Sequence, residues 1–200
     1  MKDLNKIYKV LINVDMVNGF VNIGAMHDKY INHIIPKQIS LMEEFDKDEQ
    51  KLNIIVKDTH KENCMEFNRY PVHCVENTEE SELVDELKKF ENENSICFKK
   101  NSTSTIYAEG FLELIDNLKN LQEVIIVGCC TDICILNLAI PLRNYFDQKD
   151  RNIEIIIYKE CVETYDAPNH SRDEYNEMAY KLMTQAGIKI RQWDGDVVWK

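Results

Sequence analysis

The chain alternates between short, almost wholly apolar runs and longer stretches in which apolar residues recur every three or four positions. Runs of strand length rich in Ile and Val read as β-strands buried on both faces, and the periodic stretches read as helices with one apolar side. The strand-like runs fall at Ile7 to Val14, Leu52 to Val56, Ser95 to Phe98, Val124 to Val127, Ile153 to Tyr158 and Ile188 to Trp193. Helical patterning falls at about Ile31 to Phe45, Glu79 to Phe90, Gly110 to Asn117, from the Cys134 turn to Phe146, and Arg172 to Ala186. Strands alternating with helices of this length imply right-handed βαβ crossovers. The pattern therefore predicts a three-layer α/β/α fold, Rossmann-like, around a parallel, roughly six-stranded sheet. No repeat, low-complexity tract or Pro/Gly/Ser-rich linker interrupts it, so residues 1–200 read as one domain.

The stretch VIIVGCCTDICIL, Val124 to Leu136, is the most informative. Gly128 breaks the apolar run where a parallel strand would hand over to a helix, and Thr131 and Asp132 offer capping oxygens. Cys134 then falls in the first turn of a helix, where N–H groups and the dipole would lower a thiol's pKa from ~8.5 toward neutrality. Taken alone, Cys134 reads as a small buried core residue. Asp15, Asp58 and Lys100 change that reading. Each follows another predicted strand, at the sheet edge where open α/β folds place their ligands. Together they suggest nucleophilic chemistry: Asp15 as base for the thiol, Lys100 holding the carboxylate, and the backbone N–H groups of Cys130 and Cys134 receiving an oxyanion. Cys129 and Cys130 are competing nucleophiles, ranked lower because they precede the helix.

Composition narrows the partners. A net charge of -11 argues against a nucleic-acid ligand. The apolar runs are too short to span a bilayer and the N-terminus lacks a signal-peptide core, which reads as a soluble cytoplasmic protein. Seven cysteines without framework spacing fit a reducing compartment. After the second strand, Asp58-Thr59-His60 sets a carboxylate and an imidazole two residues apart, and His73 follows. Extended D-x-H points both side chains the same way, so Asp58, His60 and His73 can hold a divalent zinc, iron or manganese ion. Surface histidines are the alternative reading of the same spacing.

LINVDMVNGF, FKKNSTS, VGCCTDICIL and ETYDAPNH (Glu163 to His170), in this order and strand context, resemble the isochorismatase-like cysteine hydrolases, a superfamily that includes the nicotinamidases. The resemblance covers nearly the whole chain. It implies an Asp15, Lys100 and Cys134 triad, with Lys99 as rival for the lysine, and a cis peptide between Cys129 and Cys130 that aims the Cys130 amide into the oxyanion hole. It further implies a metal on Asp58, His60 and His73, zinc foremost, that holds a pyridine nitrogen. Glu66, or Glu62 in its place, would be a further ligand; Cys64 and Cys74 could also contact the metal. Phe20, Tyr70 and Tyr107 would form aromatic walls for a flat small-molecule amide. The activity implied is hydrolysis of nicotinamide to nicotinate and ammonia, within NAD salvage, by a chain that allows a homo-oligomer.

Three departures bear on the substrate. Val17 and Gly19 stand where nicotinamidases often have Gln and a second Asp, and the usual D-W-H is D-T-H here. Two other readings stay open at this point. One is a metal-independent cysteine hydrolase of the same superfamily acting on another amide, carbamoyl or ureido compound. The other is a non-catalytic thiol- or metal-binding protein.

Overall fold

The computed structural model describes residues 2–193. Six strands form one sheet: β1 (Lys9–Val14), β2 (Lys51–Asp58), β3 (Ser95–Lys100), β4 (Glu123–Cys129), β5 (Glu154–Glu163) and β6 (Lys189–Arg191). All neighbours pair in parallel, in the order β3-β2-β1-β4-β5-β6. This is the expected α/β architecture. The helices are α1 (Asn18–Val21), α2 (Ile35–Lys47), α3 (Phe111–Asn117), α4 (Leu136–Gln148) and α5 (Arg172–Gln185).

Each central strand feeds two cores because successive side chains point to opposite faces. Val10, Ile12 and Val14 of β1 pack with α3, α4 and α5 through Phe111, Leu138 and Met183. Leu11 and its neighbours Ile55 and Ile125 pack with α2 through Leu41, Met42 and Phe45. The strands are therefore mainly apolar on both faces instead of alternating; the buried amides of Asn13 and Asn53 donate to Gln38 and to Met42 O. Among the described residues no helix is long and apolar enough to cross a membrane.

Three local expectations are corrected. The stretch Glu79 to Phe90 forms two short 3-10 turns, Glu79–Ser81 and Asp85–Phe90, instead of a helix. Between them Val17 pairs with Leu83, the Val84 N–H donates to Met16 O, and Glu82 O accepts from Asn18. Those groups are spent on the loop after β1 and are lost to a helical ladder. Gly128 does not end its strand: it lies inside β4 with φ +122°, and a Cβ there would fall 2.0 Å from Val14 O. Only glycine lets β4 run this close to β1. Thr131 and Asp132 cap nothing, for the segment Thr131–Ile135 opens as a π turn with no side-chain cap.

The strand order reverses direction between β1 and β4. Their carboxyl ends therefore diverge into connections on opposite sides, leaving the crevice that doubly wound sheets use for ligands. Asp15 follows β1 and Cys130 follows β4, so both sit at that crevice.

Candidate active site

Sheet register assembles the charged centre. Asp58 and Lys100 are paired residues at the ends of β2 and β3, and Lys100 Nζ lies 2.9 Å from Asp58 Oδ1. The same ammonium lies 2.9 Å from Asp15 Oδ2 and 3.8 Å from Cys134 Sγ. Lys100, Asp15, Asp58 and Cys134 are all buried. Lys99 points the other way, is largely exposed and pairs with Glu76. Asp15 itself adopts φ 56°, a left-handed conformation uncommon outside glycine, with its N–H donating to Val56 O.

Electrostatics follows from burial among these charges. Burial alone would deprotonate Lys100, but Asp15 and Asp58 on either side hold its pKa well above the usual value. Burial pushes Asp15 up, to about 6, against the lowering effect of Lys100. Burial would also raise Asp58, yet Lys100 and the two imidazoles hold it well below the usual carboxylate range. The Cys134 thiol is corrected from expectation. Burial drives its pKa well above the ordinary thiol value, Lys100 opposes this, and Asp15 and Asp58 reinforce it. Burial and the two carboxylates thus work against the lowered thiol expected at a helix start.

The metal-type residues meet beside this centre. His60 Nε2 lies 3.0 Å from Asp58 Oδ2 and 3.1 Å from His73 Nε2, and His73 Nε2 lies 3.3 Å from the same Oδ2. Three potential ligand atoms thus point at one another, and His60, His73 and Asp58 are buried. His73 Nδ1 donates to Pro71 O at 2.7 Å, which leaves the Nε2 lone pair toward the cluster. Glu66 is also buried. Its Oε2 is 3.8 Å from His60 Nε2 and has no hydrogen-bond partner among the described residues, while Oε1 accepts from Thr103. Two imidazole lone pairs, a shared carboxylate and an orphaned carboxylate oxygen fit a divalent cation. Glu62 is exposed and away from the cluster. Cys64 Sγ lies 3.3 Å from His60 Nδ1 and forms, with His60 and Glu66, a second buried group of possible ligands. Cys74 lies against Gly19 instead: a Cβ at Gly19 would meet its sulfur at 2.6 Å.

A narrow cleft opens onto Asp58, Glu66, His73 and Cys134. Phe20 and Tyr70 line it as expected, their rings 5.5 and 6.4 Å from that of His73. Tyr107 does not: it is 81% exposed on the turn Thr105–Tyr107, whose buried contact is made by Thr105. Met26, Ile133 and Tyr165 complete the wall. Sequence reading missed these three; only the ETYDAPNH resemblance touched one of them. Cys130 lines the cleft, whereas Cys129 is fully buried with its thiol donating to Asp15 O at 3.2 Å. The peptide bond joining the two is cis.

A doubly wound sheet with an acid, a lysine and a cysteine at its switch point, beside a carboxylate and histidine cluster, defines the class. The chain belongs to the isochorismatase family, whose domain model matches residues 9–194. It is 29% identical to Nicotinamidase 1 of Arabidopsis thaliana over 92% of this chain and 82% of that protein. It is 27% identical to the pyrazinamidase of Pyrococcus horikoshii solved in complex with zinc, with a TM-score of 0.73 over 92% of this chain and 99% of the other. The N-carbamoylsarcosine amidase of Thermoplasma acidophilum shares the fold, with a TM-score of 0.76 at 19% identity over 97% of this chain and 100% of the other.

Proposed function

We propose that the protein is a cysteine-dependent amidohydrolase that converts nicotinamide to nicotinate and ammonia. The carrying observation is the placement of Lys100, 2.9 Å from both Asp15 and Asp58, which joins a thiol and its base to the histidine cluster in one buried unit. The likeness to a nicotinamidase and to a zinc-bound pyrazinamidase supports this reading of the substrate.

In the proposed reaction nicotinamide lies in the cleft with its carboxamide carbon against Cys134 and its ring between Phe20 and Tyr70. A divalent metal on Asp58, His60, His73 and Glu66 would supply a Lewis acid that fixes the ring nitrogen. Ionised Asp15 takes the Cys134 proton as sulfur attacks the carbonyl carbon, and Lys100 stays protonated to hold Asp15 in place. The N–H groups of Cys130 and Cys134 receive the developing oxyanion. Asp15 returns the proton to the amide nitrogen, the C–N bond breaks and ammonia leaves a nicotinoyl thioester. Asp15 then deprotonates a water that attacks the thioester, releasing nicotinate and restoring the thiol.

The metal-independent alternative leaves the orphaned Glu66 oxygen and the facing imidazoles without a purpose, which favours the metal reading. A single domain, a reducing cytoplasmic setting and a place in NAD salvage complete the proposal. The test is ammonia release from nicotinamide by the purified protein, by Cys134→Ala, and by protein stripped with chelator. Activity is expected in the first alone. Full activity in Cys134→Ala would sink the mechanism, and full activity after verified metal removal would sink the role of the metal.

A further inference from the structure

The segment Glu163 to His170 contributes more than one wall residue. His170 Nε2 donates to Asp132 Oδ2 at 2.9 Å, and the Thr164 hydroxyl donates to Asp132 Oδ1 at 2.6 Å. The His170 and Asp132 side chains are only 9% and 10% exposed. The His170 ring stacks on Tyr165 with centroids 3.9 Å apart and planes 8° apart, and Tyr175 covers its other side at 3.7 Å. Backbone hydrogen bonds between Ala167 and His170 in both directions close the loop into a tight turn. None of these groups takes part in the chemistry above. Yet Asp132 lies in the turn that carries Cys134, and Tyr165 lines the cleft.

We propose that His170 is a positioning residue that ties the nucleophile turn, through Nε2 on Asp132, to the aromatic wall, through its stack on Tyr165 and its Nδ1 contact with Tyr165 O at 3.1 Å. The hydrogen bond to Asp132 holds the Cys134 turn against the end of β5. The stack holds the Tyr165 ring where a flat substrate would lie. An Asp132 carboxylate held by the Thr164 hydroxyl alone would loosen, and the turn with it; a Tyr165 ring that loses its stacking partner would widen the cleft. The first fault acts on the reacting sulfur, the second on ground-state binding, so they fall on different kinetic constants.

This assignment rests on the nicotinamide reading for its kinetic test but not for its thiol test. His170→Gln retains an amide N–H near the Nε2 position and removes the ring; His170→Phe retains the ring and removes the donor. For nicotinamide, His170→Gln is expected to raise KM about tenfold with kcat within about twofold, the scale of one lost aromatic contact. His170→Phe is expected to lower kcat about tenfold at nearly constant KM, as is Asp132→Asn, which serves should His170→Phe fail to fold. Tyr165→Leu should reproduce the His170→Gln effect, and the double variant should add little to it. Without substrate, the rate at which iodoacetamide labels Cys134, followed by mass spectrometry, should shift several-fold in His170→Phe and Asp132→Asn but not in His170→Gln. Parallel changes of kcat and KM in both His170 variants, or equal labelling in all, overturn the assignment. Wild-type protein inactive on nicotinamide but with the expected labelling split would overturn the substrate reading alone.

Discussion

Lys100 Nζ stands 2.9 Å from Asp15 Oδ2 across the sheet edge, a fully buried contact in which neither side chain meets solvent. The same cation bridges to Asp58 at an equal distance, so one lysine neutralises part of two buried carboxylates. Removing it leaves like charges facing each other in a site of low polarity. Lys100→Met is expected to destabilise the fold by about 3–5 kcal/mol, the range for a broken buried pair. Chemical denaturation read by circular dichroism measures this, and a loss under about 1 kcal/mol would mean the pair is far better solvated than its burial indicates.

The raised pKa of Asp15 sets a pH limit on activity. The base must be ionised, its pKa is about 6, and so kcat/KM should climb with pH through about 6 and level off above it. Lys100 lowers this pKa, so any residual activity of Lys100→Met should have its acidic limb at higher pH. A wild-type profile flat from pH 5 to pH 8, within about twofold, would remove Asp15 from the role of base.

Cation binding should depend on the facing imidazoles. Protein purified from metal-supplemented medium is expected to carry a divalent ion, and His73→Ala should be substoichiometric by elemental analysis while keeping its fold. His73 Nδ1 donates to Pro71 O and its Nε2 faces Asp58, so the substitution removes one donor aimed into the cluster. Equal metal content in the two proteins would dissolve the proposed centre. Thr103→Val removes the hydroxyl that donates to Glu66 and should weaken metal affinity by about tenfold, the lower range for a residue behind a ligand.

Gly128 predicts a purely structural failure. A Cβ would sit 2.0 Å from Val14 O on a backbone at φ +122°, so β1 and β4 must part where Asp15 and Cys130 face the crevice. Gly128→Ala is expected to cost at least about 3 kcal/mol, combining strain and displaced packing. A melting temperature within about 2 °C of wild type would show that the two strands can separate freely.

Much of this was legible from the chain by itself. Strands buried on both faces must be apolar throughout, so β1, β2, β4 and β5 announced themselves as Ile- and Val-rich runs, and their alternation with helices dictated a parallel sheet. Asp58 and His60 were legible as partners because an extended chain turns alternate residues the same way, and His60 forms an isolated parallel bridge with Val75 just past the end of β2. The weak points were those where neighbours in space outvote neighbours in sequence. Glu79 to Phe90 carried a helical pattern, but Met16, Val17 and Asn18 claimed its backbone groups. Tyr107 carried the right residue type and turned to solvent.

Residue types and spacing thus determined which groups reach the carboxyl edge of the sheet, because each strand's length and end are local properties. Tertiary structure decided what those groups do to one another. The β2 and β3 register, not the motif, sets Lys100 beside Asp58 and sends Lys99 outward. Burial beside two carboxylates pushes the Cys134 thiol up, against what its place at a helix start suggests. A hydrogen bond between Asp132 and His170, 38 residues apart, joins the nucleophile turn to the Tyr165 wall. Charge, desolvation and stacking act through space over a few ångströms, and only the folded chain sets those distances.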